Sequence, residues 1–112
     1  MTDQPKLFVL VDDKRECAQD GTVIIRDPRV ALNVLCMLAV HTLAMDNDMG
    51  HGWDFEGRNI LKKFLEVCRA QTASYPVHVV LVTNNEPAAK SMRDLLREHG
   101  YKQQSPTGFV RP

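Results

Sequence analysis

KLFVLVDD, residues 6–13, is apolar from Leu7 to Val11 and then stops on two aspartates. A run that is not interrupted by polar alternation has the pattern of a parallel strand covered on both faces. The same grammar recurs on either side of a polar, turn-like stretch, DKRECAQDG (13–21), which leads to a second β-branched run, TVIIR (22–26). Asp27 followed by Pro28 pairs a capping carboxylate with proline at a first helical position. Ala31, Val34, Leu35 and Leu38 then share one face, so a helix is predicted. HTLAM (41–45) is the third strand, and the glycine-rich GHGWDFEG (50–57) is a loop entering a second helix whose apolar side is Ile60, Leu61, Phe64, Leu65 and Cys68. Ser74, Tyr75 and Pro76 break that helix before VHVVLVT (77–83), the clearest strand in the chain. Asn85, Glu86 and Pro87 open a last helix with Met92, Leu95, Leu96 and the stem of His99 inward, closed by Gly100. YKQQ (101–104) reads as an edge strand, and SPTGFVRP (105–112) as a loose tail with little to bury.

Strands separated by helices of this length build βαβ units. The expectation is one α/β domain over 1–112 with its core at about 6–104. It is a three-layer sandwich in which a mostly parallel sheet of about five strands carries helices on both faces, as in receiver or flavodoxin-like folds. The 112 residues suffice for one core, and no repeat or linker divides them.

Fourteen basic residues balance fourteen acidic ones, so composition gives no case for bulk nucleic-acid or membrane-surface binding, and a partner has to be recognised locally. No segment approaches the ~20 apolar residues of a membrane span. Cys17, Cys36 and Cys68 are odd in number and widely spaced, which reads as reduced thiols and a cytoplasmic setting. Oligomeric state is not encoded in any pattern of the chain.

Three strands end in polar groups: Asp12 and Asp13; Asp46 and Asp48; Thr83, Asn84 and Asn85. In an open parallel sheet ligands sit beyond the carboxyl ends of the strands, so these groups are expected to meet. Any single Asp pair is a common turn former, but four carboxylates at close range repel one another unless a cation lies among them. Oxygen-only ligands suit Mg²⁺ or Mn²⁺, which keep waters and accept phosphate oxygens, so a phosphorylated small molecule, a nucleotide or an RNA end is the expected partner. Arg15 and Arg26 are the candidate phosphate clamps, with Thr83 and Asn85 as hydrogen-bonding partners. His51, between two glycines, is the histidine nearest the acidic run and the candidate acid or base beside Asp46. Trp53 either stacks on a base or packs its own loop.

VDD at the first strand end, an aspartate ending the third strand and Thr83 ending the fourth resemble the response-regulator receiver domain. In receivers the first pair binds magnesium, the third-strand aspartate accepts a phosphoryl group and the Thr senses it. The receiver lysine at the end of a fifth strand has no counterpart, since Lys102 follows Tyr101 too early. The chain more closely resembles the cyclic-phosphate processing receiver domains over roughly residues 6–101, through DDKR (12–15), IIR (24–26), DNDMG (46–50), VTNN (82–85) and Met92. That resemblance implies a metal-dependent phosphoesterase acting on cyclic phosphates of nucleotides or RNA ends, in bacteria or phages and near RNA-repair functions. It implies Asp12, Asp13, Asp46 and Asp48 as metal-holding groups. The sequence departs from the family at Asn47 and Val82, where the family carries histidines. Those departures leave open an alternative, a non-catalytic binding or regulatory module that keeps the acidic pocket.

Overall fold

A computed structural model describes residues 6–16 and 20–112 of the protein, so Cys17 lies outside the described residues. Strands β1 (Phe8–Val11) and β2 (Val23–Ile25) precede helix α1 (Pro28–Met37) and strand β3 (Thr42–Met45). A 3₁₀ turn (Trp53–Phe55) leads into helix α2 (Gly57–Arg69), followed by β4 (His78–Leu81), α3 (Glu86–Glu98), β5 (Lys102–Gln103) and β6 (Gly108–Val110). The helix ends follow the local chemistry. The Asp27 carboxylate accepts from Arg29 N–H with Pro28 behind it, the Asn85 amide oxygen accepts from Ala88 N–H, and Gly100 leaves α3 at a φ of +87°. Glu56, at the N-cap of α2, offers no side-chain cap of its own.

The sheet order is β2-β1-β3-β4-β6-β5, with the first four strands parallel and β6 antiparallel to both β4 and β5. After the step from β1 back to β2, every crossover moves along the sheet in one direction. Right-handed crossovers in one direction place their helices on one face. Accordingly α1 packs on α2 and α2 on α3 in a single row. Only the β1–β2 connection runs the other way, and no helix is described in it.

Two expectations are corrected here. Among the described residues the three helices pack in one row, where helices on both faces were expected. The sheet has six strands and not about five. The register makes this visible in the side chains. Val9, Leu43, Val79 and Phe109 lie side by side on the helix face and, with Val11, Met45, Leu61, Phe64, Leu65, Met92 and Leu96, form the core. On the other face Ile24, Leu10, Ala44, Val80 and Gly108 are neighbours, and none joins that core.

The segment 105–112 is a third correction, because it is not a loose tail. Gly108 N–H donates to Ser105 Oγ at 2.8 Å, the turn brings β6 back between β4 and β5, and Phe109 is buried in the core. Tyr101 is anchored below it, its hydroxyl donating to the Pro76 carbonyl at 2.5 Å. Cys36 and Cys68 are free thiols, and burial pushes both upward, Cys68 to about 11, which favours the protonated form. Among the described residues no helix is long and apolar enough to cross a membrane.

Candidate metal centre

The parallel ladder extends one residue past its strands and carries the acidic groups with it. Asp12 N–H donates to the Ile25 carbonyl at 3.1 Å, and Asp46 N–H to the Val11 carbonyl at 3.0 Å. Asp12 and Asp46 therefore stand on adjacent strand ends, while Val82 N–H, bonded to the Met45 carbonyl at 3.0 Å, brings the 83–85 turn alongside. The result is a shallow pocket of about 250 Å³ lined by Asp12, Asp13, Lys14, Arg15, Asp46, Asp48, Thr83 and Asn84.

Asp12, Asp13 and Asp46 each place a carboxylate oxygen within 4.8 Å of the others. Asp12 is buried at 1% exposure, and its Oδ1 accepts from the backbone N–H groups of Lys14 (2.9 Å) and Arg15 (3.0 Å). Its Oδ2 is buried and accepts no hydrogen bond. The ionic neighbour of that oxygen is Arg15 Nε at 3.1 Å. A buried carboxylate oxygen without a hydrogen bond is costly, and a cation between the three carboxylates would satisfy it. Burial first, and then the Asp12 and Asp13 charges, push the Asp46 carboxyl above the usual carboxylate range, against the Asn47 N–H and Arg15, which pull it down. Three hard oxygen donors, one of them buried and met only by the Arg15 guanidinium, form a site that could hold a metal ion.

The other expected site residues are placed as follows. Asp48 is on the rim, where its Oδ1 accepts from Asn47 Nδ2 (3.1 Å) and Asn85 Nδ2 (3.3 Å), and it stands outside the three-carboxylate group. Thr83 lines the pocket, its Oγ1 accepting from Asn85 N–H at 3.1 Å, which leaves the hydroxyl proton to donate elsewhere. Asn85 is occupied as the cap of α3. Arg26 does not line the pocket. Its Nη1 donates to the carbonyls of Arg15 (2.6 Å) and Asp12 (3.4 Å), so it braces the loop that carries the first acidic pair. His51, carried between Gly50 and Gly52 at positive φ, is exposed and also outside the pocket.

Asn47 is a residue whose role the sequence did not disclose. It is fully buried. Its Nδ2 donates to Asp48 and to Glu56 Oε1 (2.9 Å), its Oδ1 accepts from Arg58 N–H (3.0 Å) and its carbonyl from Gly57 N–H (2.9 Å). Asn47 thus caps α2 from a distant part of the chain, which explains why Glu56 does not need to. Gly57 completes the joint: a Cβ there would overlap the Asp46 carbonyl oxygen.

A larger depression of about 840 Å³ opens at the opposite ends of α2 and α3, around Cys68, Tyr75 and His99. Its cationic groups are committed to structure. Arg111 Nε donates to the His99 carbonyl at 3.0 Å with its guanidinium 3.9 Å over the Tyr75 ring, and Arg69 lies 3.9 Å from Glu98. Both helices end there, and cations at helix C-termini are stabilising without any ligand.

A family model described as the cyclic-phosphate processing receiver domain matches residues 7–98. The chain belongs to this family. Comparison with curated proteins and with solved structures returned no match. The matched span of this receiver domain contains all three carboxylates of the acidic cluster, the Asn47 joint and the Thr83 turn, and it stops before β5 and β6.

Proposed function

We propose that this receiver domain opens cyclic phosphates of nucleotides or of RNA ends, with Mg²⁺ or Mn²⁺ held by Asp12, Asp13 and Asp46. The observation that carries the reading is the cluster of three carboxylates, Asp12 buried among them and offset only by Arg15, in a receiver domain of a cyclic-phosphate processing family. When bound, the cation supplies Lewis-acid polarisation of the phosphate and a template for its oxygens. The remaining work falls to the chain. Lys14 and Arg15, on the pocket wall, neutralise phosphate oxygens, and Thr83 donates its free proton to one of them. Asp46 takes the proton of the attacking water as the new P–O bond forms and returns it to the ribose oxygen as the old P–O bond breaks, so the step balances. The test is a panel of 2′,3′-cyclic nucleotides and cyclic-ended oligonucleotides with Mg²⁺ or Mn²⁺ present. Opening by the wild-type chain, abolished in Asp46→Ala, is the expected result, and no opening of any member overturns the enzymatic reading.

A second reading, a non-catalytic binding module, is favoured by one observation. Among the described residues no histidine lines the acidic pocket, and Asn47, where the family carries one, is wholly used in joining β3 to α2. Its signature is a Mg²⁺-dependent shift of the amide resonances of residues 12, 46 and 83 without turnover of the panel. Mass measurement after incubation with a small phosphodonor separates a phosphoacceptor from a pure binder.

A further inference from the structure

The indole of Trp53 stands in solvent at 64% exposure, the only aromatic side chain among the large exposed apolar groups of the described residues. Its backbone, in contrast, is pinned: the Trp53 carbonyl accepts from Glu56 N–H (3.1 Å) and from Asn59 Nδ2 (2.7 Å). A large apolar ring on a fixed mount carries a solvation cost that packing elsewhere in the protein does not relieve. It also loses little conformational freedom if something stacks on it.

The ring borders two depressions. One, about 320 Å³, lies toward α3 and is lined by Arg58, Asn59, Lys62, Ser91 and Leu95, with no acidic residue on its wall. The other, about 200 Å³, includes Lys62 and Lys63 together with Asp54 and Glu66. Among the described residues Lys62 and Lys63 enter no ion pair. Arg58 is paired with Glu56 at 3.2 Å, so the cations left to meet a phosphate beside the ring are Lys62 and Lys63. The loop that carries Trp53 leaves β3 directly after Asp46 and Asp48, which line the acidic pocket, and is tied back to it from inside. Arg58 N–H is bonded to Asn47 Oδ1, and Asn47 Nδ2 to Asp48 on the pocket rim.

An exposed aromatic ring beside unpaired lysines is the recurring platform for single-stranded nucleic acid, because bases stack on the ring while cations follow the phosphates. The geometry points to a single-stranded RNA segment as the occupant: the nucleotides leading to the phosphate end lie over Trp53, with a phosphate on the Lys62 side. Resting on the cyclic-phosphate reading above, this makes an RNA end, and not a free cyclic mononucleotide, the preferred substrate. Stacking is indifferent to base identity, so the preference is for strandedness and not for sequence.

Trp53 is the sole tryptophan, so its emission reports the platform directly. The experiment titrates the wild-type chain, with Mg²⁺ present, with a short single-stranded RNA ending in an ordinary 3′-hydroxyl, which cannot be turned over. Saturable quenching is expected, with affinity falling as salt rises and about tenfold weaker in Lys62→Glu. Anisotropy of the labelled RNA should show the same order of loss in Trp53→Ala and recovery in Trp53→Phe. Unchanged emission, equal quenching by duplex RNA, or no effect of Lys62→Glu overturns the inference. The two readings fail separately. Quenching without opening of any cyclic nucleotide or cyclic-ended oligonucleotide condemns the phosphoesterase alone, whereas opening without quenching condemns the RNA platform alone.

Discussion

Replacing Gly57 by alanine tests whether the site and the helix layer are one mechanical unit. The new Cβ would overlap the Asp46 carbonyl oxygen and lie 2.7 Å from Asp46 C and 2.9 Å from Asn47 Cα. Every one of these is a backbone atom, so no rotamer change relieves the clash. Ordinary carbon contacts are near 3.5–4.0 Å, and α2 must retreat on the order of 1 Å. That movement strains the Gly57 N–H bond to the Asn47 carbonyl (2.9 Å) and the Arg58 N–H bond to Asn47 Oδ1 (3.0 Å). Each bond is worth about 1 kcal/mol, and overpacking adds about 1–3 kcal/mol. The better helix propensity of alanine returns about 1 kcal/mol. The net loss is about 2–4 kcal/mol, or a fall in Tm of roughly 10 °C or more. Urea and thermal unfolding should be compared with Gly50→Ala, where φ is +76° but nothing lies within 4 Å, so only backbone strain of about 1 kcal/mol is at stake. On the proposed metal reading, Gly57→Ala should also lose the rise in Tm expected on adding Mg²⁺, since Asp46 is displaced. If Gly57→Ala costs no more than Gly50→Ala and keeps its response to Mg²⁺, the coupling is wrong.

Two further outcomes follow from the same geometry. In metal-free buffer near neutral pH, Asp46→Asn should be more stable than the wild type, because burial and two neighbouring carboxylates oppose the charge of Asp46. That advantage should shrink as pH falls through the raised folded pKa, and a Mg²⁺ titration should no longer raise Tm; a destabilised metal-free Asp46→Asn would refute the argument. His99, at 5% exposure with Nδ1 2.8 Å from the Tyr75 hydroxyl, is held below the usual histidine range by burial, with Arg69 and Arg111 adding to the effect. The unfolded chain therefore takes up a proton first, and His99 contributes stability above about pH 6.5 that is lost as pH falls toward its folded pKa. Chemical unfolding between pH 7.5 and 5, a range of roughly one unit or more on either side of the free value, should show this dependence reduced in His99→Gln; an unchanged profile would exclude His99 as its source.

The alternation of strands and helices was legible because its signals are local: Asp27–Pro28, Asn85 and Gly100 cap the helices that the periodicity outlines. The gathering of Asp12, Asp13 and Asp46 followed from placing strand ends on one edge of a parallel sheet. The single row of described helices was not legible, since the face a helix takes depends on crossover direction. Phe109 was hidden among Ser, Pro, Thr and Gly, whose turn chemistry masks a three-residue strand. Asn47 and Gly57 look like loop residues because their partners, Glu56, Arg58 and the Asp46 carbonyl, reach them only through the tertiary fold. Trp53 was left open between packing and stacking, and its exposure removes the first option.

The placement of β6 separates the recognisable domain from the foldable one. The family match ends at residue 98, yet the strand that seals β4 on its outer side is Gly108–Val110. A chain trimmed to the match would lose Phe109 from the core and leave the N–H and C=O groups of His78, Val79, Val80 and Leu81 as a bare apolar edge, ready to pair with another molecule. In the intact chain that edge is handed on through β6 to β5, two exposed polar residues, Lys102 and Gln103, which are a poor template for further strands. The final dozen residues therefore act as a stopper against sheet-to-sheet aggregation, and during synthesis the sheet cannot be sealed until they have emerged.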